Sequence, residues 1–83
     1  MNTHDVKVEL ENNNIDPRAY SINGLTAPPH DEQYVLSNTN NLWVIYFEER
    51  GERTYEMFYL TENEACEHFL TRILKDPTTR KKE

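Results

Sequence analysis

The chain contains very little cysteine and glycine. Its 83 residues include one cysteine, Cys66, and two glycines, Gly24 and Gly51. A single cysteine excludes an internal disulfide, and no cysteines and histidines are spaced as in a zinc site. Two isolated glycines exclude the glycine-rich loop with which many proteins hold phosphate groups. The fold must therefore rest on apolar packing, without a metal or a covalent cross-link to support it.

Long hydrophobic runs are also absent. No segment approaches the roughly 20 apolar residues of a transmembrane helix. The charged residues among the first ten leave no apolar stretch typical of a secretory signal. We therefore expect a protein without a membrane segment, in a reducing, cytoplasmic compartment. A chain of this length also buries only about 60% of the surface that its unfolded form exposes, which leaves little room for an enclosed active site.

Catalytic groups are missing as well. A hydrolase needs a nucleophile, a base and an orienting group held together. Of the three histidines, His4 lies near the terminus, His30 follows two prolines, and His68 falls on the polar side of a predicted helix. Cys66 falls on the apolar side of the same helix, where a buried and inert thiol is expected. We predict no catalytic residue, no metal ligand and no cofactor, and hence a protein that is not an enzyme.

Negative charge, by contrast, is abundant. The chain has 15 acidic and nine basic residues, a net charge of −6. Residues 75–83 hold four basic and two acidic side chains, so this end carries +2 and residues 1–74 carry −8. An acidic body disfavours nucleic acid as a partner and favours a basic protein surface, although net charge also serves solubility. We predict one domain at residues 1–78 and a basic, disordered tail at residues 79–83.

The last third of the chain predicts an amphipathic helix. Thr61 and Glu64 have the spacing of a capping box at its start, and Asp76 and Pro77 end it. Between these signals the apolar residues recur with the helical period, at Ala65, Cys66, Phe69, Leu70, Ile73 and Leu74. We expect this apolar stripe to pack on a sheet.

A β-hairpin precedes this helix. Residues 42–47 and 55–60 are rich in aromatic and β-branched side chains, as strands are. Between them, Gly51 suits the positive φ of a tight turn. A two-residue turn that ends at Gly51 would set Tyr46 opposite Tyr55. Both faces of such a hairpin are largely apolar, so one would pack on the helix and the other would need cover from the chain or from a partner.

The segments before the hairpin are less regular. Residues 33–36 read as a short third strand, which would complete an antiparallel meander. Near the start, Val6, Val8 and Leu10 alternate as in a strand, while Val6 and Leu10 also lie one helical turn apart. The residues alone therefore leave residues 3–11 open between helix and strand.

Acidic residues concentrate around the predicted hairpin turn. Like charges this close reduce stability, so a basic partner that relieves the repulsion would explain them, as would an ordinary solvated turn. Aromatic residues are also dense for so small a core, and the tyrosines of the second strand could anchor an interface. The predicted partner-binding residues are Glu48, Glu49, Glu52, Glu56, Tyr55 and Tyr59.

Four segments of the chain resemble one group of small bacterial proteins. They are residues 15–24 (IDPRAYSING), 31–36 (DEQYVL), 43–51 (WVIYFEERG) and 61–66 (TENEAC). The group is the immunity proteins of polymorphic and contact-dependent growth inhibition toxin systems, and the resemblance covers roughly residues 6–78. It implies a helical first segment and a function in neutralising the C-terminal domain of a cognate toxin.

Together these features predict an α+β domain, with a three-stranded antiparallel meander packed against the C-terminal helix and with an N-terminal helix. The resemblance implies a protein, monomeric or weakly dimeric, that occludes the active site of a toxin domain, and the acidity favours a basic nuclease. The alternative is a small regulatory or adaptor protein that binds a housekeeping partner or self-associates through the sheet. Neither nucleic acid nor a membrane is an expected direct partner.

Overall fold

The computed structural model describes residues 1–23 and 32–81. Its helices and strands form one α+β unit, in which the sheet order is β1-β2-β3-β4. In chain order the elements are α1 (Thr3–Asn12), a 3₁₀ turn (Pro17–Ala19), β1 (Tyr20–Ile22), β2 (Glu32–Thr39), β3 (Leu42–Glu49), β4 (Glu52–Tyr59), α2 (Glu62–Lys75) and a second 3₁₀ turn (Pro77–Thr79). In the part of the chain that the structure describes, neither helix has both the length and the apolar character that crossing a bilayer requires.

The first element is a helix, which decides the ambiguity left by the sequence. Asn2 is its N-cap: the Asn2 side chain accepts from the Asp5 amide at 2.9 Å, and the Asp5 carboxylate accepts from the Asn2 amide at 3.1 Å. This reciprocal pair satisfies two of the amides that a helix leaves free at its start. Val6 and Leu10 are fully buried, whereas Val8 is exposed. The helical spacing, and not the alternation, therefore describes α1.

The sheet differs from the predicted antiparallel meander because it has four strands and is mixed. The additional strand, β1, pairs in parallel with β2 and sets Tyr20 beside Tyr34 and Ile22 beside Leu36. With three residues, β1 is too short to show an alternating pattern that stands out from a loop. Its two buried side chains, Tyr20 and Ile22, fix it to the core. The predicted α+β class is confirmed, and the predicted strand count is wrong.

Both hairpins close with two-residue turns. Asn40 and Asn41 join β2 to β3 with φ of 52° and 64°, and Arg50 and Gly51 join β3 to β4 with φ of 52° and 85°. Positive φ at both central residues defines the type I′ turn, whose twist matches that of the flanking strands. The predicted turn ending at Gly51 is therefore present. Arg50 also has a positive φ, which at this position of a turn is usually found for Asn, Asp or Gly.

A β-bulge interrupts the second hairpin. The pairs nearest the turn keep the predicted register, but beyond them the register shifts by one residue, so that Ile45 pairs with Met57. Tyr55 lies at the shift and has a φ of 55°. The predicted register is therefore wrong beyond the bulge, where Val44 pairs with Phe58; at the bulge itself Tyr46 stands opposite two residues, Tyr55 and Glu56, and not Tyr55 alone.

The helix α2 confirms the predicted C-terminal helix and supplies much of the core. The Thr61 hydroxyl caps it by accepting from the Glu64 amide at 3.3 Å. Its side chains Ala65, Cys66, Phe69 and Ile73 are fully buried in one apolar cluster with residues of α1 and of the sheet. Full burial of a large apolar side chain contributes about 1.5–3 kcal/mol each, so this stripe holds the two helices and the sheet together.

The packed body extends beyond residue 78. Thr79 is buried, and its hydroxyl lies 2.7 Å from the Asp76 carbonyl oxygen. The Asp16 amide donates to the Thr79 carbonyl at 2.8 Å, and the Lys81 amide donates to the Asn14 carbonyl at 2.9 Å. The predicted boundary at residue 78 therefore falls inside a segment that is bonded to the chain between α1 and β1.

Candidate interaction surface

Three glutamates from three neighbouring strands form a row across the sheet. Glu32 of β2 is the direct partner of Glu49 of β3, which is in turn the direct partner of Glu52 of β4. Directly paired residues share a face of the sheet, and like charges placed this way reduce stability. Within the described residues, none of the three carboxylates makes an ion pair or a side-chain hydrogen bond. We call Glu32, Glu49 and Glu52 the acidic row.

The acidic row continues into a shallow pocket beside the end of α2. Tyr34 and Phe47 line this pocket, with their rings 4.9 Å apart, and Asp16, Glu32 and Asp76 add three carboxylates to its lining. The pocket also contains one cation, Arg18, whose side chain is largely exposed and pairs with Asp16 at 3.3 Å. This end of the sheet therefore offers more negative than positive charge around an aromatic floor.

Asp76 is a fixed negative charge of this pocket. One carboxylate oxygen accepts from the Tyr34 hydroxyl at 2.9 Å, and the other accepts from the Thr78 hydroxyl at 2.6 Å and the Thr78 amide at 3.0 Å. The hydrogen bond from the Thr78 hydroxyl is the largest of the effects that lower the pKa of Asp76. Burial, followed by the hydrogen bond to Asp76, raises the pKa of Tyr34 to about 12. At neutral pH the pair is thus a neutral phenol and a carboxylate, and neither group is poised for proton transfer.

The structure divides the predicted acidic cluster. Glu49 and Glu52 belong to the acidic row, whereas Glu48 lies on the opposite face of the sheet as the partner of Arg53. Glu56 also faces Arg53, with a carboxylate oxygen 3.7 Å from the guanidinium. Glu32 was not among the predicted residues, because it joins the others only through the register of β2 with β3.

The two predicted tyrosines have different environments. Tyr59 is half-buried against the core, and its ring lies 4.9 Å from the ring of His68. Tyr55 is 75% exposed at the bulge, and its carbonyl accepts from Arg72 of α2 at 3.2 Å. Tyr55 is therefore available for contact with a partner, whereas Tyr59 serves mainly to pack β4 on α2.

The strand β4 presents a second exposed feature next to the acidic row. It stands at the end of the sheet and, among the described residues, pairs only with β3. Four large apolar side chains on it, or directly after it, are exposed: Tyr55 (75%), Met57 (51%), Phe58 (56%) and Leu60 (82%). We call these four residues the edge patch. Scattered exposed apolar residues are ordinary, but four within six residues along one edge strand, with Met57 and Phe58 on its opposite faces, indicate an interaction surface.

Cys66, His4 and His68 belong neither to the acidic row nor to the edge patch. Cys66 is fully buried, and burial is the main cause that raises the pKa of its thiol to about 11. His4 and His68 are exposed on different helices, and His30 lies outside the described residues. Across residues 1–23 and 32–81, no three histidine, cysteine or carboxylate side chains are grouped so as to hold a metal ion.

The surface therefore combines an apolar strand edge with carboxylates that have no cationic partner in residues 1–23 and 32–81. Carboxylates of this kind attract basic proteins at long range, and exposed aromatic and aliphatic groups supply contact area at short range. Comparisons with family models, with curated proteins and with solved structures find no match for the chain.

Proposed function

We propose that the chain is an immunity protein, which binds the C-terminal domain of a cognate toxin in the cytoplasm and neutralises it by covering its active site. The observation that carries this proposal is the acidic row. Glu32, Glu49 and Glu52 lie directly opposite one another without cationic partners in the described residues. Such an arrangement lowers the stability of the free protein, and a basic partner would relieve the repulsion.

We propose a basic nuclease as the toxin domain. Nucleases bind phosphate groups with lysine and arginine side chains, and those cations attract an acidic protein as they attract nucleic acid. Within the predicted set, Glu49 and Glu52 would contact these cations as part of the acidic row. Tyr55 would add an exposed aromatic anchor, whereas Glu48, on the opposite face of the sheet, and Glu56, paired with Arg53, would lie outside this contact. Association should be fast and should slow as salt screens the charges.

Growth and binding assays test this proposal. The toxin candidate is the C-terminal domain encoded by the adjacent upstream gene, and we expect its expression to arrest growth and coexpression of this chain to restore it. In vitro, E49K with E52K should weaken binding by at least about tenfold, mainly through slower association. The matched control, E9K with E67K, makes the same change in net charge at exposed helix positions and should have a much smaller effect. A harmless neighbouring domain, or equal effects of the two double variants, would count against the proposal.

A further inference from the structure

We propose that the edge of β4 from Glu56 to Leu60 accepts an extended segment of a basic partner protein, which adds a fifth strand to the sheet. The inference rests on the proposed function only in taking the partner to be a basic protein. It adds the mode of binding, since main-chain hydrogen bonds along a free edge would supply affinity and pockets for alternate side chains would supply selectivity.

The two halves of β4 differ in how they are protected against strand pairing. The half next to the turn carries the charged residues Glu52 and Arg53 and ends in the bulge at Tyr55. Charges and bulges are the devices with which proteins blunt a free edge. The other half has one charged residue, Glu56, whose carboxylate pairs with Arg53, and from Met57 onward it contains no charged residue and no proline, while Met57 and Phe58 are exposed. Protection of the edge is therefore weaker beyond Glu56.

The bulge also sets where pairing can begin. The Tyr55 carbonyl is directed toward α2, where Arg72 donates to it at 3.2 Å. This carbonyl already accepts a hydrogen bond from within the protein, so it has less need of a donor from an added strand. Beyond it, Ile45 pairs regularly with Met57, so β4 returns to ladder geometry at Met57. A regular strand with one side unpaired can accept another strand along that side.

A basic partner fits this edge better than a second copy of the chain. The exposed parts of the edge patch amount to roughly 500 Å² if a large side chain offers about 200 Å², and a stable complex buries about 800 Å² on each partner. A second copy would bring the same small patch together with another net charge of −6. A basic partner could cover the acidic row at the other end of β4 as well, and so supply the missing area.

Amide hydrogen exchange tests the added strand directly. With the upstream gene's toxin domain bound, we expect the outward-facing amides between Glu56 and Leu60 to exchange at least about tenfold more slowly. If the domain binds and these amides exchange as in the free protein, the edge proposal is wrong while the proposed function stands. If the domain does not bind, the proposed function fails, and a synthetic peptide that alternates lysine and valine becomes the probe. Protection by this peptide, but not by a proline-interrupted version, would support the edge; no protection at its solubility limit would overturn it.

Side-chain variants provide a second readout. M57K and L60K should each weaken binding of the domain by about tenfold or more, mainly through faster dissociation, because they place a cation against a basic strand. The matched control V8K makes the same change at an exposed apolar residue of α1 and should leave binding unchanged. Unchanged affinity in both edge variants would contradict the proposal. Sedimentation of the free protein that shows a dimer abolished by M57K would also overturn it, since the occupant would then be a second copy.

Discussion

Replacing Tyr55 with glycine should make the protein more stable, although it removes a large aromatic side chain. Tyr55 has a φ of 55° at the bulge, and an L-residue in this left-handed region costs about 1–2 kcal/mol. Glycine adopts such a conformation without that cost. Its greater conformational freedom in the unfolded chain, however, lowers the free energy of unfolding by about 0.5–1 kcal/mol. The side chain is 75% exposed, so little packing is lost. The difference of these two terms spans about 0–1.5 kcal/mol, and its central part, a gain of about 0.5–1 kcal/mol, is the expectation for Y55G.

Urea unfolding and thermal melting measure this gain. In a domain of this size each kcal/mol shifts Tm by about 4–8 °C, so Y55G should raise Tm by about 2–8 °C. The control M57G removes another exposed apolar side chain from the same strand, at a residue without a positive φ. M57G should lower stability by about 1 kcal/mol, because glycine weakens a regular strand. If Y55G and M57G are destabilising to the same extent, the backbone of Tyr55 is not strained in the folded protein.

Three further predictions concern Tyr34, the C-terminal residues and Cys66. Because the fold lowers the pKa of Asp76, this carboxylate stabilises the protein above its unfolded pKa and loses that contribution as pH falls through the folded value. Y34F should therefore cost about 1 kcal/mol at pH 7, and urea titrations at a series of lower pH values should show this cost shrinking as pH falls through the folded pKa of Asp76; a cost that stays constant down to the acid unfolding of the protein would contradict the role of the carboxylate. Removal of residues 79–83 should cost about 2 kcal/mol, since it deletes a buried residue and two backbone hydrogen bonds to the segment before β1; an unchanged urea midpoint would contradict this. Cys66, with a pKa of about 11, should react with a thiol reagent only after unfolding, and rapid labelling of the native protein would show that the thiol is accessible.

The elements that were predictable from the sequence are those whose signals are local. For α2, a capping residue, an apolar stripe and a terminating proline lie within one segment. The hairpin turn is likewise marked by Gly51 between two runs of strand-forming residues. At α1 the cap is Asn2, and Asp5 completes the capping box in place of the usual glutamate. Local chemistry therefore determined the helix there too, but a less common pair of residues carried the signal.

The remaining features depend on contacts between distant residues. The strand β1 exists because Tyr20 and Ile22 fit against β2, which no pattern of three residues reveals. At the bulge, Tyr55 adopts a left-handed backbone conformation. Tyrosine rarely adopts this conformation, so the residue type does not predict a bulge there. The acidic row needs the registers of two hairpins at once, so Glu32 could join Glu49 only when both strand positions were known. For the same reason the sequence placed Glu48 and Glu56 with the row, although they lie elsewhere.

The acidic row and the edge patch should contribute to binding in separable ways because of their positions on β4. Glu52 begins the strand and Phe58 lies six residues later, a separation of about 20 Å at the rise of a β-strand. Salt screens charges beyond about 8 Å at physiological ionic strength, so the row steers the approach of a partner with little influence on contacts at the far end. The edge patch acts after the approach, through area and hydrogen bonds that oppose dissociation. Changes at sites this far apart usually add in free energy. The effect of removing the acidic row can therefore be measured while the edge patch is intact, and the effect of removing the edge patch while the acidic row is intact.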